Sequence, residues 1–170
     1  MVKTLLLVDF DDARLAAIVG QELSVRFRLH VGSVTSPFPR VRMRGWQHNG
    51  EDVLSEVLRL RRQHGTDMAL GMTSKDLYVP DMNFIFGLAS HEGGAAVVSS
   101  SRLKAAEPTL YADRILKETF HELGHMYGLG HCPDTGCVMH FSNSLADTDA
   151  KGKWFCANCS SRLRADDPLI

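Results

Sequence analysis

The chain has 170 residues, 44% hydrophobic and 23% charged, with a net charge of −1. That is enough apolar material for one soluble domain with a real core and at most a small appendage. The near-neutral balance argues against a dedicated nucleic-acid or membrane-surface binder, and two local basic runs, Arg40, Arg42 and Arg44 and then Arg59, Arg61 and Arg62, read as solvated faces.

The apolar run Leu5 to Val8 sits between Lys3 and Asp9 and is too short for a signal peptide or a membrane span. A cytoplasmic protein is therefore expected, in which four cysteines hold metal rather than form disulfides. Lys3 to Phe10 reads as a buried strand. Asp11 or Asp12 caps a helix over Ala13 to Phe27, with Leu15, Ile18, Val19 and Leu23 on one face. Arg28 to Val34 alternates as a second strand. Ser36-Pro37-Phe38-Pro39 breaks regular structure, and the stretch through Asn49-Gly50 reads as a long loop.

Helical spacing returns over Glu51 to His64, stopped by Gly65. Asp67 to Thr73 and Asn83 to Leu88 are the third and fourth strands. Gly93-Gly94 mark a tight turn, and Ala95 to Ser101 form the fifth strand. Strands alternating with helices predict an α/β fold: a mixed, mostly parallel five-stranded sheet, two backing helices and, from the short link between the last two strands, an antiparallel edge. After Pro108 a helix runs from Thr109 to about Tyr127 with Ala112, Leu116, Phe120, Leu123 and Tyr127 as its buried stripe. Residues 131–170 lose this periodicity and read as a small irregular subdomain on an N-terminal part of about 1–130, the whole of 1–170 forming one domain.

The chemistry is concentrated in HELGHMYGLGHC, residues 121–132. His121 and His125, four apart on a helix, project from one face and can reach one Zn²⁺ at about 2.0–2.1 Å. Glu122 can lean toward water at that metal as general base. Gly128 lets the chain leave the helix, and His131 then supplies the third imidazole, leaving the fourth position open as catalytic zinc requires. His30, His48, His64 and His91 read as surface or satisfied core residues. Glu118, one turn before Glu122, is a candidate partner of the site, with a solvated helix glutamate as the stronger reading.

Cys132, Cys137, Cys156 and Cys159 form C-x4-C and C-x2-C pairs. That spacing suits a structural zinc held by four thiolates with Zn–S near 2.3 Å, which would fold a segment too irregular to bury much core. Two disulfides, or a redox-active Cys156–Cys159 pair, are the competing readings, the second weakened because no thioredoxin-like strand precedes it.

The pattern HExxHxxGxxHC-x4-C-x-M followed by CxxC resembles the archaemetzincins, a branch of the metzincin zinc peptidases, with every motif position matched over residues 121–159. The resemblance implies a metzincin-like catalytic domain, two Zn²⁺ per chain, and Met139 as the turn methionine packed beneath the histidines without touching metal. Some metzincins carry a tyrosine ligand two residues after that methionine; Phe141 stands there instead. The resemblance also implies a peptide or protein substrate, laid extended along an edge strand for which Asn83, Phe84, Ile85, Phe86 and Gly87 are the candidates. A zinc-dependent metallopeptidase acting as a monomer is the leading reading. A zinc-stabilised peptide-binding module and a small-molecule amidohydrolase are its rivals.

Overall fold

The computed structural model describes residues 2–166. Strand β1 (Thr4–Asp9) leads into helix α1 (Ala13–Arg26), whose first turn is capped by Asp12 accepting the Leu15 N–H. Strand β2 (His30–Thr35) follows. The stretch expected to be a long loop instead holds two short strands, β3 (Met43–Arg44) and β4 (Gln47–Asn49), joined through Gly45 at φ +61°. Helix α2 (Gly50–His64) is capped by Asn49 and ends on Gly65, at φ +65°, where a left-handed residue is needed. Then come β5 (Met68–Thr73), β6 (Leu77–Val79), β7 (Met82–Ile85), β8 (Gly87–Ser90) and β9 (Ala95–Ser99). Helix α3 (Pro108–Met126) carries HExxH, and α4 (Leu145–Ala150) and α5 (Ala157–Asp166) belong to the C-terminal segment.

The main sheet has the order β2-β1-β5-β9-β8, parallel throughout except for β8, which runs antiparallel to β9 at the edge. Alternation along β1 sorts two cores. Leu5 and Leu7 face α1, α3 and the cysteine-bearing segment, whereas Leu6 and Val8 face α2. The expected five strands, antiparallel edge and two backing helices are all present.

A second sheet, β3-β4-β6-β7, was not expected. Its strands are two to four residues long, too short to carry a periodic signal, so only pairing reveals them. It also divides the predicted strand Asn83 to Leu88. Ile85 enters the α2-side core and the next residue, Phe86, the α3-side core, so the chain changes sheets between them. The basic runs lie on the solvated surface as expected, Arg40, Arg42, Arg44, Arg59 and Arg62 all being exposed, and some of them pair there with neighbouring elements. Arg42 pairs with Asp52 at 2.7 Å, Arg44 donates to the Met82 and Asn83 carbonyls, and Arg59 pairs with Glu56.

Helix α3 departs most from its expected single stripe. From Arg114 to Gly124 every residue is buried, polar ones included, while Ala112 is only partly so. The sheet edge, α1 and the C-terminal segment enclose it together. Among the described residues, no helix is long and apolar enough to cross a membrane.

Candidate metal centres and catalytic cleft

Helix α3 stops where the motif needs it to. The Gly128 N–H donates to the His125 carbonyl and the Leu129 N–H to that of Gly124, with Gly128 at φ +85°. This left-handed stop turns the chain back and brings His131 beside the helix. The ligand atoms of His121, His125 and His131 all lie within 4.8 Å of one another. The Nδ1 atoms of His121 and His125 are 2.8 and 2.7 Å from the backbone carbonyls of Val138 and Leu129. Because a carbonyl only accepts, each Nδ1 carries the proton and each Nε2 presents a lone pair. Those two Nε2 atoms stand 3.0 Å apart, an arrangement that is repulsive until a cation lies between them. Burial, with the Lys151 charge nearby, holds the His121 imidazole neutral down to about 2. The donor set fits zinc.

Met139 is fully buried and packs against Gly124, the residue that precedes His125 on the helix. A Cβ at Gly124 would collide with the Met139 sulfur, so the glycine in HELGH is there for clearance. The Phe141 ring lies tilted against His131, with centroids 4.9 Å apart, and brings no hydroxyl to the site.

The four cysteine sulfurs form a second cluster, also within 4.8 Å. The Cys132 and Cys156 sulfurs are 3.8 Å apart. Four thiolates at 2.3 Å around a tetrahedral zinc would be about 3.8 Å apart, against about 2.05 Å in a disulfide. Burial pushes the Cys137 and Cys159 thiols up, a cost that a divalent cation reverses. The Cys156 N–H already points at the Cys137 sulfur, at 3.3 Å. These thiols fit a closed zinc site, and no strand precedes Cys156 as a thioredoxin-like pair would have.

A cleft of about 720 Å³ opens over the histidines. The five residues Asn83 to Gly87 all line it, although they belong to two strands and their junction. Within the main sheet β8 is bonded only to β9, so its other edge is open. Glu122 lies in the cleft, buried, with its carboxyl pushed up to about 8 by burial and by the neighbouring Glu118, against the pull of Lys151.

One residue was misread from sequence. Glu118 is not a solvated helix glutamate: it is buried, lines the cleft, pairs with Lys151 at 3.0 Å and accepts from the Thr148 hydroxyl at 2.9 Å. Local spacing could not show this, because its partners lie thirty residues on. His91 is a surface residue as expected, but it also lines the cleft, its Nδ1 2.9 Å from the Met126 carbonyl and its ring over Gly128. Its place just after the predicted edge strand was the available signal.

Residues 31–165 match the model of peptidase family M54. The chain belongs to peptidase family M54. The archaemetzincin of Methanopyrus kandleri is 53% identical over 98 residues, covering 58% of this chain and 56% of that protein. That of Thermococcus kodakarensis is 43% identical over 123 residues, covering 69% and 66%. The aligned sequence thus spans little more than half to two thirds of these relatives. Solved structures agree over more of the fold. The crystal structure of the Archaeoglobus fulgidus archaemetzincin has a TM-score of 0.85 at 32% identity, covering 94% of this chain and 99% of its own. That from Methanopyrus kandleri also scores 0.85, at 36% identity, covering 97% and 95%.

Proposed function

We propose that this M54 chain hydrolyses peptide bonds, with Glu122 as general base and one zinc ion in each cluster. The observation that carries this reading is the pair of facing Nε2 lone pairs on His121 and His125, beside a buried carboxylate in an open cleft. Zinc held by His121, His125 and His131 would supply a Lewis acid that acidifies water and polarises the scissile carbonyl. Glu122 takes the proton as the water oxygen bonds to the carbonyl carbon, and delivers it to the amine as the C–N bond breaks. Cys132, Cys137, Cys156 and Cys159 hold the second ion, which folds the irregular segment. Met139 supports the histidines from below.

The substrate lies extended along β8. In the ladder, the Ser99 N–H donates to the Phe86 carbonyl and Gly87 is opposite Val98. Alternation then turns the main-chain groups of Gly87 and Ala89 away from β9, toward the open edge, where an added strand bonds. The same reading takes the chain as one catalytic unit, N-terminal part to about 130 and C-terminal part beyond, acting in the cytoplasm where thiols stay reduced.

Digestion of a peptide library, with cut sites read by mass spectrometry, tests it. Cleavage should require zinc and vanish in Glu122→Gln. Peptide binding without cleavage by the zinc-loaded protein would instead make it a binding module.

A further inference from the structure

Gly87 opens β8 beside the cleft, and its backbone is not among the left-handed glycines. Conformation does not call for glycine here; space does. A Cβ at this position would stand 2.5 Å from Glu122 Oε1, 2.6 Å from its Cγ and 2.7 Å from its Cδ, whereas ordinary contact begins at 3.4 Å. Three consecutive atoms of the Glu122 side chain therefore rest on the bare backbone of the edge strand. We propose that Gly87 is a positioning residue for hydrolysis, its missing side chain being the seat that fixes the Glu122 carboxylate over the histidine cluster. This rests on the assignment of Glu122 as general base.

The consequence of filling the seat follows from what can move. Strand β8 is held in register by β9 from Gly87 to Ser90, and α3 is buried throughout Arg114 to Gly124, so neither backbone yields easily. The Glu122 side chain is the soft element. Restoring ordinary contact from 2.5 Å requires it to shift by about 0.9 Å, and a misplacement of about 1 Å at a reacting group costs about 10²-fold in rate. The fold should barely register the change, because a rotamer rather than a core gives way. No histidine ligand or backbone bond is touched.

Gly87 could instead be glycine to let the substrate backbone approach, in which case a methyl group would obstruct binding. Kinetics separate the two. Zinc-loaded Gly87→Ala and Glu122→Gln are compared with the unsubstituted protein on a quenched fluorescent peptide chosen from the library digest, with zinc content measured and the Gly87→Ala crystal structure solved. Gly87→Ala should lower kcat about 10²-fold, leave KM within threefold and zinc content unchanged, and show the carboxylate displaced by about 0.9 Å. A kcat within threefold, a loss confined to KM, or an undisplaced carboxylate overturns the positioning role. If Glu122→Gln keeps its kcat, the base assignment fails and takes this inference with it. If only Glu122→Gln is impaired, the base stands and the seat does not.

Discussion

Lys151 Nζ stands 3.0 Å from Glu118 Oε1, with both side chains shut away from solvent. Lys151 caps the end of α4, five residues before Cys156, and also reaches the His140 carbonyl at 3.4 Å. Glu118 lies one turn before Glu122 on α3. The ion pair thus ties the cysteine-bearing segment to the helix that carries HExxH. Breaking such a pair from one side strands a buried charge, at about 3–5 kcal/mol. Lys151→Met should cost about that much in denaturant unfolding of the zinc-loaded protein, and Lys151→Met with Glu118→Leu should recover most of it. A single variant within about 1 kcal/mol of the unsubstituted protein would mean the pair braces nothing.

Gly124→Ala addresses the methionine turn. The added methyl meets the Met139 sulfur and lies 3.0 Å from Phe155 Cε1, with no slack on the helix side. Overpacking of this kind costs about 1–3 kcal/mol. Because Met139 packs against Gly124, the residue before His125, catalytic zinc affinity should fall as well. Competition with a zinc-selective chelator checks it, and unchanged affinity would deny Met139 its supporting role.

Ala89→Pro tests the open edge. The Ala89 N–H points away from β9, so proline removes a group offered to substrate without breaking a ladder bond. KM should rise at least several-fold while stability stays within about 1 kcal/mol; Leu88→Pro, whose N–H faces β9, should destabilise the fold instead. Equal KM effects from the two substitutions would argue against strand addition.

Glu122 gives a pH signature in protein stripped of the imidazole-bound ion. Its folded-state pKa, about 8, is above the ordinary 4.5 because burial opposes its charge. A carboxyl raised in this way favours the fold fully below about 4.5 and loses that advantage as pH rises through about 8. Glu122→Gln, always neutral, should therefore raise the melting temperature at pH 8 and not at pH 4.5. A gain equal at both would show that the carboxyl is not buried as described.

Much of this was legible in the sequence because strong local signals agreed with the final packing. Periodicity placed α1, α2 and α3 within one or two residues, and the caps at Asp12 and Gly65 fell where their chemistry requires. The HExxH spacing and the cysteine pairs named the residues that the fold brings into two clusters. What escaped is non-local. The strands of the second sheet are too short to carry a pattern, and the division of Asn83 to Leu88 depends on two cores meeting at Phe86. Glu118 looked solvated because Lys151 and Thr148 are far along the chain, and Gly87 matters only through Glu122, which folding lays against it.

His131 and Cys132 are neighbours in sequence, yet their ligand atoms join different clusters, three imidazoles on one side and four thiols on the other. If each cluster holds one zinc, the thiolate site steadies His131 through a single peptide bond. Zinc counted per chain by native mass spectrometry, for the unsubstituted protein, His121→Ala and Cys159→Ser, tests this most directly. The account predicts two ions, then one retained in the thiolate site, then weakened binding at both. A single ion in the unsubstituted protein, or a Cys159→Ser protein that keeps its imidazole-bound zinc at full affinity, would contradict it.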